Sequence, residues 1–155
     1  MKIMITGGMG FIGSHLSEQL LIEKHDLVVL TKSFFKKHNI TNISKKIKIE
    51  KTDVTNFKKL SQSIQKNKPD VIIHLAGQTS HSQSFKEPLN DIDSNAKSTL
   101  FILEEIRKKK LKCRFILGST FVVIGRPHKL PVDERTPCWP TMIYGVNRLT
   151  SEHYC

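Results

Sequence analysis

The segment that most constrains this chain is Thr6-Gly7-Gly8-Met9-Gly10-Phe11-Ile12-Gly13. It follows a short apolar run, Lys2–Thr6, and leads into residues 11–24, where Ile12, Leu16, Leu20 and Leu21 recur at helical spacing. A strand that enters a helix through such a turn offers free backbone N–H groups and the positive end of the helix dipole to an anion. Side chains there would block its approach. Gly7 permits the tight turn, Gly10 the close approach of a pyrophosphate, and Gly13 the packing of helix against strand, with Phe11 and Ile12 in the same cradle. The spacing is Gly-x-x-Gly-x-x-Gly rather than the commoner Gly-x-Gly-x-x-Gly. Its position between a strand and a helix is the context that gives a glycine triplet meaning.

The remaining pattern extends the same architecture. Asp26–Thr31 holds Leu27-Val28-Val29-Leu30, an uninterrupted apolar run of the kind a parallel strand buried on both faces shows. Residues 32–44 read as a polar loop with some helix, and Ile47–Lys51 as a third strand. Asn56 can cap a helix running to about Asn67, and Pro69-Asp70 breaks the chain before a fourth strand, Val71–Leu75. Pro88 opens a long helix predicted to reach about Lys110, with Leu100, Leu103 and Ile106 on its core side. Arg114–Gly118 is a fifth strand, a proline-bearing loop spans 119–140, and a last helix begins near Thr141. Strands alternating with helices predict an α/β fold with a doubly wound parallel sheet.

Charge and composition exclude several classes. The chain carries 25 Lys+Arg against 14 Asp+Glu, a net charge of +11, which raises nucleic-acid binding as a possibility. The lysines are spread over loops and polar helix faces, with no aromatic-basic alternation beside them, so a solvated basic surface is the better reading. Cys113, Cys138 and Cys155 stand far apart and no Cys/His cluster has zinc-ligand spacing, so no metal site is expected. No apolar run approaches the ~20 residues that span a bilayer. With no signal-peptide pattern at Met1–Thr6, a cytoplasmic location is expected.

From Thr6 through Leu16 the chain resembles the opening of the extended short-chain dehydrogenase/reductases, the NAD-dependent epimerase/dehydratase family with its Rossmann-type sheet. Asp53-Val54 matches the family's adenine-contacting segment, and Leu75-Ala76-Gly77 after His74 the segment lining the cofactor cleft. Ser84, Pro88 and Asn95 fall where nucleotide-sugar 4-epimerases have Ser, Pro and Asn. The resemblance covers the whole chain and implies a dinucleotide cofactor held by Gly7, Gly10, Phe11, Ile12, Gly13, Asp53, Val54, Leu75, Ala76, Gly77 and Asn95. Whether that cofactor is NAD or NADP stays open at this level. An acidic residue at the end of strand two selects NAD, but here Thr31 is followed by Lys32 and Ser33, a set that suits a 2′-phosphate. The family habit is NAD.

Removing hydride from a sugar hydroxyl requires a base for the hydroxyl proton, and a phenol, with its ordinary pKa near ~10, serves only beside a cation. Tyr144 and Arg148 are four residues apart, on one helical face. The family motif is Tyr-x-x-x-Lys, so Tyr144 matches and Arg148 departs from it. An arginine keeps the charge with a larger, planar donor set. Counted back from Gly125, Thr120 takes the place of the family's catalytic hydroxyl, with Ser119 as the neighbouring candidate. Phe121-Val122 stands where the family's 4,6-dehydratases carry acid and base, so the resemblance favours epimerase over dehydratase. A simple reductase would use the same residues, and a non-catalytic dinucleotide-binding module is the alternative from another class.

Members of the family continue beyond the tyrosine helix into further strands and a region that binds the nucleotide-sugar. This chain ends at Ser151–Cys155, inside that helix. The resemblance therefore implies that residues 1–155 form an incomplete NAD(P)-binding domain, truncated after the fifth strand and the Tyr-bearing helix. Such a chain should turn over no nucleotide-sugar alone, and its last helix should be weakly anchored. A homodimer is a further expectation from the resemblance, as is a nucleotide-sugar substrate for the complete enzyme.

Overall fold

The computed structural model describes residues 1–155. Five parallel strands form one sheet in the order β3-β2-β1-β4-β5, with β1 Lys2–Thr6, β2 Asp26–Thr31, β3 Lys48–Lys51, β4 Val71–His74 and β5 Arg114–Leu117. β1 lies at the centre, aligned with Asp26–Leu30 on one side and with Val71–His74 on the other. The chain moves outward from β1 to β3, then crosses back to β4. The strand order thus reverses beside β1, the place where an open α/β sheet leaves a crevice beyond its strand ends.

Alternate strand side chains feed two cores, which is why the strands read as unbroken apolar runs. Met4, Val28, Leu30 and Ile72 face α2 (Phe57–Asn67) and α5 (Ser98–Lys108) through Leu60, Ile64 and Ile102. Ile3, Ile5, Leu27, Val71 and Ile73 face α1 (Phe11–Ile22) through Leu16, Leu20 and Leu21. Asn56 caps α2 as expected, its side chain accepting from the Lys59 N–H at 3.1 Å. Ile12 departs from its apolar periodicity and is 67% exposed. The turns at the far ends of three helices place Lys24, Lys68 and Lys110 at positive φ.

The long helix expected from Pro88 forms and runs unbroken to Lys108, but it is not uniformly α-helical. A short α3 (His81–Lys86), which the spacing does not announce, precedes α4 (Pro88–Ile92), and a π-helical turn at Asp93–Lys97 separates α4 from α5. A π turn takes in one more residue than an α turn, so it rotates the face that follows. Leu100 is accordingly 40% exposed, while Ile102 is fully buried and Phe101 and Ile106 pack beside it.

Two buried polar systems set the frame for the crevice. In the first, the Ala76 N–H donates to Thr6 Oγ1 at 3.1 Å, and the Thr6 hydroxyl bonds His74 Nδ1 at 2.7 Å. Nε2 bonds Ser98 Oγ at 3.0 Å, and Ser98 donates to the Ser94 carbonyl. These roles are all met when the ring carries its proton on Nε2. In the second, the fully buried Asp91 carboxylate accepts from Ser84 Oγ, from Asn95 Nδ2 at 3.1 Å and from Asn147 Nδ2 at 2.6 Å.

Asn147 belongs to α6 (Ile143–Tyr154), and Ser151 of the same helix donates to the Asn95 carbonyl at 3.2 Å. The expectation of a weakly anchored last helix is therefore corrected. Buried hydrogen bonds tie α6 to α4 and the π turn, between residues 56 positions apart. β5 is the edge strand, as anticipated, with Ile116 44% exposed.

Two outcomes follow from these systems. Burial, reinforced by the charge of Arg148, pushes His74 down to about 3 from the ordinary 6.5. Between those values the unfolded chain binds the extra proton, so stability is complete above about pH 6.5 and falls as the pH drops, by up to ~1.4 kcal/mol per unit. Urea unfolding at pH 7 and pH 5 measures this, and His74→Asn should flatten the difference. Asp91→Ala should cost roughly 2–3 kcal/mol, because buried donors on Ser84, Asn95 and Asn147 lose their acceptor together. Hydrogen exchange should find α6 protected in the parent chain and the first element released in this variant.

Candidate functional site

The crevice beyond the C-terminal ends of β1 and β4 is a cleft of about 760 Å³. Its walls come from the β1–α1 turn, the ends of β2 and β3, the segment after β4, the end of β5 and one face of α6. It brings together most of the residues singled out in the sequence. Gly7, Gly10, Phe11, Ile12, Gly13, Thr31, Lys32, Ser33, Asp53, Val54, Leu75, Ala76, Gly77, Ser119, Tyr144 and Arg148 all line it. Asn95 and Thr120 do not.

The glycines act by what they leave out. Gly7 sits at φ +70, and a Cβ there would lie 2.9 Å from the Ala76 N atom. A Cβ on Gly13 would meet the Gly7 carbonyl at 2.5 Å, so α1 rests directly on the turn before it. No side chain caps α1, whose Ncap is Gly10. The first N–H groups of the helix therefore remain available at the cleft, where an anion would be held. The exposure of Ile12 has its explanation here: it lines this opening instead of the core.

At the far end of the cleft, β2 ends in Thr31, whose hydroxyl donates to the Ser33 carbonyl at 2.7 Å. The Asp53 carboxylate accepts from the Thr55 N–H at 3.0 Å and from its hydroxyl at 2.9 Å. Phe35 and Lys36 also line this end, although the sequence gives no periodic signal for them. The segment that carries them returns to the glycine turn, where Asn39 Nδ2 donates to the Met9 carbonyl at 2.9 Å.

The opposite end holds the reactive side chains. Tyr144 is 6% exposed and its ring lies 5.7 Å from that of His81. The Arg148 Cζ is 5.9 Å from the Tyr144 ring centroid. Arg148 is 4% exposed and donates from Nη2 to the Gly118 carbonyl at 2.8 Å, while its Nε and Nη1 have no partner. Gly77 packs against Asn95 Oδ1, which is also unpartnered, and leaves no room for a side chain between Asn95 and Arg148. Asn95 is thus a buried wall behind Gly77.

Of the two hydroxyl candidates, Ser119 faces the cleft and bonds the Glu152 carboxylate of α6. Thr120 caps the 3₁₀ turn Phe121–Val123, accepting from the Val122 N–H at 3.3 Å. Glu152 was not singled out in the sequence. Its place two turns beyond Tyr144 on the same helix was the available signal.

The chain matches a family model described as GDP-mannose 4,6 dehydratase over residues 4–155. It is 32% identical to a UDP-glucose 4-epimerase of Lacticaseibacillus casei over 152 residues, covering 98% of this chain and 45% of that protein. The UDP-glucose 4-epimerase of Thermotoga maritima, solved with UDP-glucose, superposes with a TM-score of 0.89 at 28% identity, over 99% of this chain and 50% of that one. The Bifidobacterium longum enzyme, solved with NAD+ and UDP, gives a TM-score of 0.88 at 30% identity, over 99% of this chain and 47% of that one. The chain spans about half the length of these relatives. No helix is long and apolar enough to cross a membrane. A glycine cradle, a cleft at the point of strand reversal, a Tyr–Arg pair at its inner end and a match over almost every residue lead to one conclusion: this chain belongs to the extended short-chain dehydrogenase/reductases, in the NAD-dependent epimerase/dehydratase family.

Proposed function

We propose that this chain is the dinucleotide-binding and hydride-transfer half of a nucleotide-sugar 4-epimerase. One observation supports this above the others: a buried arginine lines the cleft beside Tyr144 with two N–H groups that have no partner. Leaving such donors unsatisfied costs about 1–3 kcal/mol each, more on a cation, so a small shift of the buried side chain that brings them to acceptor oxygens in the cleft is favoured. The hydroxyls of a nicotinamide ribose are acceptors of that kind. The glycine turn at the other end suits a pyrophosphate, and the cleft volume of about 760 Å³ suits a cofactor.

The dinucleotide supplies the hydride acceptor and donor when bound. In this reading Tyr144 takes the proton of the sugar hydroxyl and later returns it, and Arg148 keeps a fixed positive charge next to the phenol. Ser119 is the hydroxyl placed to steady the reacting oxygen, with Glu152 orienting it. Dehydration is disfavoured, because Phe121 and Val122 follow Thr120 and bring neither acid nor base. The substrate class proposed is a UDP-sugar, after the relatives, and the region that would hold it corresponds to the half they possess in addition. Leu89, Leu100 and Val146, exposed on α4, α5 and α6, support pairing with a second copy.

A non-catalytic dinucleotide-binding module is the second reading, favoured by Thr120, whose hydroxyl is engaged in capping. The two separate by substitution. Tyr144→Phe should leave dinucleotide binding by the purified chain within about threefold. In a form long enough to hold a UDP-sugar it should abolish epimerisation, and unchanged epimerisation would remove Tyr144 from the mechanism. Arg148→Met should weaken dinucleotide binding about tenfold or more, as expected for the loss of charged hydrogen bonds of about 1.5–3 kcal/mol. Arg148→Lys should restore most of it. Calorimetric titration measures both.

A further inference from the structure

The cofactor reading leaves open which dinucleotide the cleft prefers, and the end of the cleft beyond β2 bears on that choice. We infer that this site selects the 2′-phosphorylated dinucleotide, NADP, over NAD, through Lys32 and Lys36 flanking the uncharged end of β2. The inference rests on the dinucleotide reading above.

The residue at the end of β2 decides what the adenosine ribose meets. A carboxylate there accepts from the 2′- and 3′-hydroxyls and repels a 2′-phosphate, whereas a cation nearby accommodates that phosphate. Here the position is Thr31, which carries no charge and spends its hydroxyl proton on the Ser33 carbonyl at 2.7 Å. That bond folds the chain tightly after β2 and keeps Lys32 and Ser33 on the cleft wall.

The segment that follows is fastened at its other end too. Asn39 donates to the Met9 carbonyl at 2.9 Å, and Ile40 and Ile43 are buried against Met9 and Val29. Lys32 and Lys36 are therefore held at the rim of the cleft by anchors on both sides, and both line it. Neither lysine has a carboxylate within ion-pair distance: the six ion pairs of the molecule involve Lys2, His25, Lys48, Lys97, Arg107 and Lys108 as cations.

The acid nearest in role is Asp53. It is the one acidic side chain lining the cleft, and its Oδ1 is taken up by the Thr55 N–H and hydroxyl. A 2′-phosphate carries about −1.5 to −2 near neutral pH, so two unpaired cations and no competing carboxylate at the β2 end favour it over a bare hydroxyl. Because both lysines are exposed, the preference should be screened by salt, unlike the contacts at Arg148.

Calorimetric titration of the 155-residue chain with NAD+ and with NADP+, at low and high ionic strength, tests this. The expected result is at least tenfold tighter binding of NADP+ at low salt, narrowing as salt rises. Lys32→Ala with Lys36→Ala should bring the two affinities within about threefold by weakening NADP+ alone. Thr31→Asp should invert the order. Equal affinities in the parent chain, or tighter NAD+, would overturn the selectivity and leave the dinucleotide reading intact. Binding of neither cofactor by the folded chain would overturn the dinucleotide reading, and the selectivity with it.

Discussion

The contact on which the rest of the structure depends is the close approach of the turn after β1 to the segment after β4. Gly7 lies so near Ala76 that no side chain fits between them, and Thr6, one residue earlier, is hydrogen-bonded to His74 and Ala76. This is where the strand order reverses. The same few residues thus close the centre of the sheet and aim the first turn of α1 at the cleft. A substituent on Gly7 would part the two strand ends and disturb both together.

Charge is handled differently at the two ends of the cleft. At the inner end Arg148 is buried, held by the Gly118 carbonyl and left with two free donors. Close by, His74 stays neutral because burial and the guanidinium both oppose its protonation. At the outer end the cations are exposed lysines. A fixed, dehydrated charge suits atoms that must be placed accurately, and an exposed one suits attraction of an anion from solution. The basic surface, read from the sequence as merely solvated, thus has one local concentration that faces a cavity.

Much of the fold was legible in the sequence because its signals are local. The glycine turn, the apolar runs of β1, β2 and β4, and the Asn56 cap each occupy adjacent residues, and each formed as expected. The features that escaped depend on partners far apart in the chain. Nothing near Asp93–Lys97 announces a π turn, and the Asn95 carbonyl within it receives a hydrogen bond from Ser151, 56 residues further on. The anchoring of α6 was missed for a related reason: Asn147 and Ser151 read as ordinary polar positions until Asp91 and Asn95 lie beside them. At the site, counting from Gly125 singled out Thr120, with Ser119 as its neighbour. It could not show that the Thr120 hydroxyl turns to cap the next residues while Ser119 faces the cleft.

The three turns that hold Lys24, Lys68 and Lys110 at positive φ lie where helices end and β2, β4 and β5 begin, at the edge of the sheet away from the cleft. A lysine in that conformation bears a steric burden of roughly 1 kcal/mol that glycine escapes. Resilience to heat and choice of ligand are therefore written at opposite poles of the molecule. An engineer, or natural selection, can raise the melting temperature at one pole while the recognition surface at the other goes untouched.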